Sequence, residues 1–352
     1  MTGIVFGNNA SLILFNESDY GIRHTTTTGT GPSAVTTANG HKLLFTTENL
    51  KISRQSFDSQ TISGNRERMK PVRGNINVSG QIAVEFSPEN PLLLLYYAIG
   101  TWTTTPTAAG STGPFTHTFT TGSKLPSFQA EVNFGADAPT GQQYHLFTGL
   151  KVNTFSLQVP NNGNITASFD CIGQNALMSD TVLDESPATT AFNRFSSFEA
   201  NIYLDGSTQP SGIIESFSIN VANELDESIY PIKSDGLRAE LPNGFQTVTG
   251  QFTSFFQSTT IGGTAGLAKA KSGESVTLKL ELRRGDGTGS AGNEKVTFEI
   301  FNTMLEETSP EVTGPAGVKL QMSFKAYKTT ASPNVMTITV LNALANYKSI
   351  NA

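Results

Sequence analysis

The order of apolar runs along this chain occurs twice, and that repetition limits what the chain can fold into. SLILFNESDYG is answered by SFEANIYLDG, NLKISRQSFD by IESFSINVANELD, and VRGNINVSGQIAVEF by GFQTVTGQFTSFF. Further on, SFQAEVNFG is answered by SVTLKLELRRG, YHLFTGLKVNTFSLQV by KVTFEIFNTMLEETSPEV, and GNITASFDCIG by GVKLQMSFKAY. Equivalent starts run from 49 to 214, 72 to 245, 127 to 275 and 164 to 318, a drift of the size that loop insertions produce. The runs alternate with period two, as at Ile76, Val78, Ile82, Val84 and Phe86, with Gly80 breaking the pattern as a bulge would. The repeated unit is therefore built of strands, and the expected fold is all-β with two tandem domains.

The first domain is expected over residues 1–176 and the second over 195–330. Between them, 177–194 loses periodicity and carries Pro187, as a linker does. A C-terminal arm, 331–352, follows; its MTITVL run suits either an edge strand donated to a neighbour or a strand closing its own domain, and NALANYK suits a short helix. With 352 residues, each domain is long enough to bury its own core. One helix is expected in ENPLLLLYYAIGT, with Asn90 as cap, Pro91 in the first turn and Gly100 as stop; TAGLAKAKSG holds the same place in the second unit. The Thr- and Gly-rich stretch before Gly40 reads as a loop or arm.

Each unit interrupts its strands with a long polar segment, 53–71 in the first and 222–242 in the second, both too long for an ordinary hairpin turn. Their charges oppose. Lys51, Arg54, Arg66, Arg68, Lys70 and Arg73 outweigh Asp58 and Glu67, whereas Glu224, Asp226, Glu227, Asp235 and Glu240 outweigh Lys233 and Arg238. Equivalent loops of opposite sign suggest copies that meet, so the expected contact residues are Arg54, Arg66, Glu67, Arg68 and Lys70 with Glu224, Asp226, Glu227, Tyr230 and Asp235.

No catalytic, cofactor or metal site is expected. His24, His41, His117 and His145 form no HExxH or i, i+4 pair, and neither a GxSxG elbow nor a GxxxxGK[ST] loop occurs. The glycines of RRGDGTGSAGN fall in a hairpin loop, and Cys171 reads as a small apolar residue of a strand. Carboxylates cluster only in connecting segments, at Asp180, Asp184 and Glu185 and at Glu306, Glu307 and Glu311, and one Trp is thin material for a sugar platform. The net charge of −6 argues against general nucleic-acid binding but not against a surface past which nucleic acid slides. The start MTGIVFGNNA lacks the features of a signal peptide, and PLLLLYYAIG is too short to span a bilayer, so a soluble chain folded in the cytoplasm is expected.

NLKISRQSFDSQTISGNRERMKPVRGNINVSGQIAVEFSPENPLLLLYYAIGT, then LPSFQAEVNF, then HLFTGLKVNTFSLQVPNNGNITASFDCIG, together resemble bacteriophage tail tube proteins. The positions that carry the resemblance are Arg68, Gly74 and Gly80; Leu94, Leu95 and Gly100; Gly149, Val152 and Leu157; and Gly163, Ile165, Ser168 and Gly173. They cover about 45–176 well and the second half more loosely. The resemblance implies two tail-tube-like β-sandwich or barrel domains, each with a short flanking helix. Their inner sheets would join around a ring into one β-barrel, and stacked rings would form the conduit for DNA ejection.

It also implies no enzyme activity, no cofactor and no membrane partner. The partners would be other copies of the chain, other phage tail proteins and DNA passing without specific binding, and the place a virion assembled in the host cytoplasm. Single-domain members form hexameric rings, so a duplicated chain implies trimers with pseudo-sixfold symmetry or, failing that, hexamers. About 24 inner strands spaced about 4.8 Å and tilted about 40° give a backbone diameter near 48 Å, roughly 40 Å inside the side chains. A neutral to acidic bore rich in Thr, Ser and Asn would let a duplex pass. The long loops would pack on a neighbouring subunit or ring. The alternative is a secreted β-sandwich adhesin or carbohydrate-binding module, which the absence of a signal peptide and of disulfides disfavours and a cluster of exposed aromatics would favour.

Overall fold

The computed structural model describes residues 4–23, 25–28, 35–107, 113–207, 213–232, 235–257, 264–312, 314–330, 332 and 334–345. In the first half these form β1 (Ser11–Asp19), β2 (Ile22–Arg23), β3 (Thr25–Thr28), β4 (Val35–Ala38), β5 (Gly40–Leu43), β6 (Thr47–Glu48), β7 (Lys51–Phe57) and β8 (Val72–Glu85). Then come α1 (Leu92–Ile99), β9 (Gly100–Pro106), β10 (Phe115–Thr121), β11 (Phe128–Asn133), β12 (Tyr144–Val159), β13 (Thr166–Gly173) and β14 (Asn175–Ser179). The second half holds β15 (Ala200–Leu204), β16 (Ile214–Ala222), β17 (Thr247–Phe255), α2 (Thr264–Ser272), β18 (Val276–Arg283), β19 (Lys295–Leu305), β20 (Lys319–Ala326) and β21 (Met336–Asn342). The chain is all-β, with antiparallel ladders throughout the named strands.

One sheet crosses the whole molecule. Its strands lie in the order β7, β8, β13, β12, β16, β17, β20 and the end of β19, and the two halves meet where β12 pairs with β16. Outside it, β5, β1, β11, the start of β12 and β14 form a second layer in the first half. In the second half the outer layer runs β15, β18, β19, β21, β10, β9. The long strands β12 and β19 thus serve two layers each, and both change layer at a residue in the left-handed region, Gly149 (φ 63°) and Asn302 (φ 48°). A side chain at Gly149 would sit 2.7 Å from Gln174 Cβ, so glycine answers both the dihedral and the space there.

The second half repeats the pairing scheme of the first. Leu150 faces Phe128 and, past the irregularity, Phe147 faces Ala130; likewise Thr303 faces Val276 and Ile300 faces Leu278. The cores do not repeat separately, however: a single hydrophobic cluster runs from Leu12 to Val340. At its centre the Phe298 ring of the second half lies 5.8 Å from Phe86 and 6.4 Å from Phe155 of the first. In place of one core per domain the halves share a core, because the β12–β16 ladder brings their apolar faces into one layer.

Several local expectations need correction. Asn90 does not cap α1: its side chain bonds both backbone groups of Leu44, while Pro91 holds the N-cap position and Gly100 (φ 108°) ends the helix as expected. The Thr-rich stretch forms the hairpin of β3 with β4 instead of a bare arm. The connector lies along the first half, with Gly40 N donating to Asp184 Oδ2 at 2.8 Å and Lys42 N to the Ala188 carbonyl at 2.9 Å. The C-terminal strand is not free to be donated, since β21 is paired on both sides, by β19 and by β10. Of the NALANYK segment, Asn342 ends β21 and 343–345 are not helical, while 346–348 lie outside the described residues. Trp102, the chain's one Trp, packs against Phe119 and donates its indole N–H to His117, whose ring in turn bonds Asn342 beside the chain's last strand. It is thus interior rather than a sugar platform, and Cys171 is likewise buried, which pushes its thiol pKa up.

Gly250 marks how closely the inner sheet packs. A Cβ there would lie 2.2 Å from the Ser218 carbonyl oxygen and 2.4 Å from the Phe324 ring. Gly250→Ala is expected to cost about 1–3 kcal/mol through overpacking. The measurement is the urea midpoint, which should fall at unchanged m-value.

A candidate assembly surface

The basic segment begins as strand. Ser53 to Phe57 belong to β7, so the loop proper spans 58–71 at the tip of a long β7–β8 hairpin. Every residue of β7 is exposed, and among the described residues β8 is the one strand that pairs with it. The tip is organised locally: Arg68 pairs with Asp58 at 2.6 Å, and Asn65 Oδ1 accepts the Glu67 N–H. Arg66, Glu67 and Lys70 are exposed, as are the apolar Phe57, Ile62 (95%), Met69 and Val72 (68%). Four apolar side chains are thus exposed together on one projecting hairpin.

The acidic segment is bound down. Asn223 Nδ2 donates to the carbonyls of Ala98 and Val152, and Leu225 N donates to Asn153 Oδ1. Leu225 and Leu241 pack with Leu125 and Ile172 in a small apolar cluster of their own. Arg238, 3% exposed, donates to the Gly173 carbonyl at 2.8 Å, to Asn77 Oδ1 at 2.7 Å and to Glu227 at 3.0 Å, and stands over the Tyr230 ring. Lys151, itself buried, reaches Glu240 Oε1 at 2.7 Å and the Leu241 carbonyl at 2.9 Å. The loop of the second half is thereby laid across the first.

The two segments do meet, though not by charge. Tyr230 OH donates to the Ile76 carbonyl, Ile76 N donates to the Gly236 carbonyl, and Arg54 donates to the main-chain oxygen of Asp235 at 2.9 Å. Two of the acidic side chains are spent within the segment, and Glu240 is spent on Lys151. Asp226 accepts from Ser228, side chain and backbone, which holds its pKa below the usual carboxylate range, and Glu227 serves Arg238. Glu224, left-handed at φ 49°, accepts weakly from Thr247. Arg66, Arg68 and Lys70 touch none of them. The anchors that sequence reasoning missed are Asn153, Asn223, Lys151 and Arg238; the last carried a signal, as an arginine set among carboxylates.

The face of the large sheet turned away from the core is polar and mostly neutral. Its side chains satisfy one another across strands: Gln81 donates to Asp170, Ser156 to Asn220 at 2.8 Å, and Gln321 to Gln251 at 2.7 Å. Lys319 pairs with Glu215. Neutral groups of this kind offer no cation to a phosphate, and the Lys319 ammonium already has a carboxylate partner. Among the described residues no group of His, Cys, Asp and Glu is arranged to hold a metal ion, and no helix is long and apolar enough to cross a membrane.

A family model described as phage tail tube protein matches residues 7–326. No curated protein matches the chain.

Proposed function

Because the chain belongs to the phage tail tube protein family and so is a structural component of the virion tail, we propose that it polymerises into stacked rings whose bore conducts DNA out of the capsid. The observation that carries this reading is the sheet that crosses both halves and ends in open edges at β7 and at the end of β19. Open edges of that length are an aggregation hazard unless another strand pairs with them, and closure into a ring removes them. Each chain supplies the inner strands of two repeated units, so three chains close a pseudo-sixfold ring of about 24 strands, near 48 Å across the backbone.

The polar face of that sheet lines the bore, where paired neutral side chains let a duplex slide instead of binding it. The second long loop already rests on the half that precedes it. The first long loop, exposed in the single chain, takes the same role on the preceding chain or ring. The two loops arise from a duplication of one domain, which the repeated pairing scheme supports.

Electron microscopy of concentrated protein tests the reading: hollow tubes or rings with sixfold-like views are expected, and two-lobed particles at every concentration would overturn it. Reversing Arg66, Arg68 and Lys70 together to Glu is expected to abolish tubes while leaving the thermal unfolding of the protomer unchanged. Tubes of normal yield from that variant would remove the loop from the contact.

A further inference from the structure

The joint inside the chain has an open counterpart. Across β12 and β16, Thr154 faces Ala222, Ser156 faces Asn220 and Gln158 faces Ser218. The ladders fix which residues stand in the same places elsewhere. Val221 pairs with Val248 as Ile52 pairs with Val78, and Phe217 pairs with Phe252 as Glu48 pairs with Ile82. The edge 48–53 is therefore the counterpart of 217–222. The bridge from Glu311 to Lys319 repeats the pair Gln158 with Thr166, so 307–311 is the counterpart of 154–158.

Neither counterpart has a strand on its outer side among the described residues. The 307–310 stretch is not even zipped to its own sheet: it stands off β20 across a cleft of about 740 Å³ lined by Thr308, Ser309, Glu311, Lys319, Gln321 and Ser323. Phe256 N bonds the Val318 carbonyl, so Lys319, Gln321 and Ser323 turn their backbone groups toward 307–311. Pro310, in the place of Leu157, therefore lacks its N–H on the outward side, and a joint there has one ladder bond fewer than Leu157 makes to β16.

We propose that 307–311 of one protomer becomes a β-strand between its own β20 and the 48–53 edge of a second copy, and that charge marks this seam as the one between chains. In the register of the internal joint, Ser309 faces Lys51, and Glu307 and Glu311 lie on the two diagonals. Diagonal neighbours are roughly 7–8 Å apart, within reach of a lysine side chain. Lys51, Glu307 and Glu311 are all exposed in the single chain. The internal joint carries only Thr154, Ser156, Gln158, Ser218, Asn220 and Ala222 in these positions and is neutral. An acidic end thus seeks a basic end, and two like ends repel, which directs head-to-tail closure. The proposal rests on the tail-tube reading.

The test is the full chain carrying Lys51→Cys with Ser309→Cys, oxidised during assembly and run on non-reducing gels beside micrographs of the same sample. Directly opposed strand residues have the spacing that a disulfide needs, and native Cys171 is 1% exposed and out of play. Covalent dimers and trimers, with no larger closed species, are expected. A companion variant, Lys51→Glu, is expected to raise the concentration needed for assembly on the order of tenfold, equivalent to about 1.4 kcal/mol. Adding Glu307→Lys and Glu311→Lys to it should restore assembly. Rings that form without cross-linking and ignore Lys51→Glu would overturn the seam while leaving the tube intact. Absence of both rings and cross-links in wild-type and cysteine chains would overturn the tube reading and the seam with it.

Discussion

Phe298→Ala is expected to destabilise both halves of the molecule together, by about 3–5 kcal/mol. The ring is fully buried and touches Phe86 and Phe155, which belong to the other half, and Phe155 in turn stacks on Phe169 at 5.1 Å. Removing it opens a cavity that the surrounding ladders cannot collapse, since strands on two layers hold its walls. The informative measurement is urea unfolding followed by two probes. Trp102 fluorescence reports the β9–β10 ribbon, which lies beside β21 in the outer layer of the second half, and far-UV circular dichroism reports the whole. Coincident transitions moved by the same amount are expected; a Trp102 transition that moves while part of the dichroism change stays in place would show that the halves unfold independently.

Arg238→Ala is expected to cost a similar ~3–5 kcal/mol, but locally. The guanidinium is buried, and its loss leaves the Gly173 carbonyl and Asn77 without their donor and Glu227 without its cation. Amide exchange should accelerate over 224–241 and at 74–77 while the β16–β17 ladder keeps its protection. Arg238→Lys should recover little, because one ammonium cannot reach acceptors spread around a planar fork. Unchanged exchange in the loop would mean that Leu225, Leu241 and Asn223 hold it unaided.

What was legible in the sequence was local. Period-two alternation located the strands, Pro91 and Gly100 bracketed α1, and the recurring order of runs anticipated the repeated ladders. What stayed hidden depends on partners distant in the chain. Asn90 has the chemistry of a cap, but Leu44 offers both of its backbone groups, and a residue with two tertiary bonds does not turn back to its own helix. The two long segments carry opposed charges. Within one chain these do not pair, because Asp226 and Glu227 have nearer partners in Ser228 and Arg238, and local bonds cost less chain entropy than distant ones. No periodicity announces that β12 will pair with β16 or β21 with β10, since an edge strand and a central strand alternate alike.

The pairing of β10 with β21 carries a consequence for synthesis. His117 and Asn342, which meet in it, are 225 residues apart in the chain. At ribosomal rates of roughly 5–20 residues per second, β10 waits about 11–45 s for its partner. Throughout that interval the β9–β10 ribbon presents a bare row of amides and carbonyls inside a crowded polysome, where neighbouring nascent chains carry the same ribbon. Rapid translation of the second half, or a holdase on the ribbon, is therefore a condition of yield, and slow codons between the two strands should lower it.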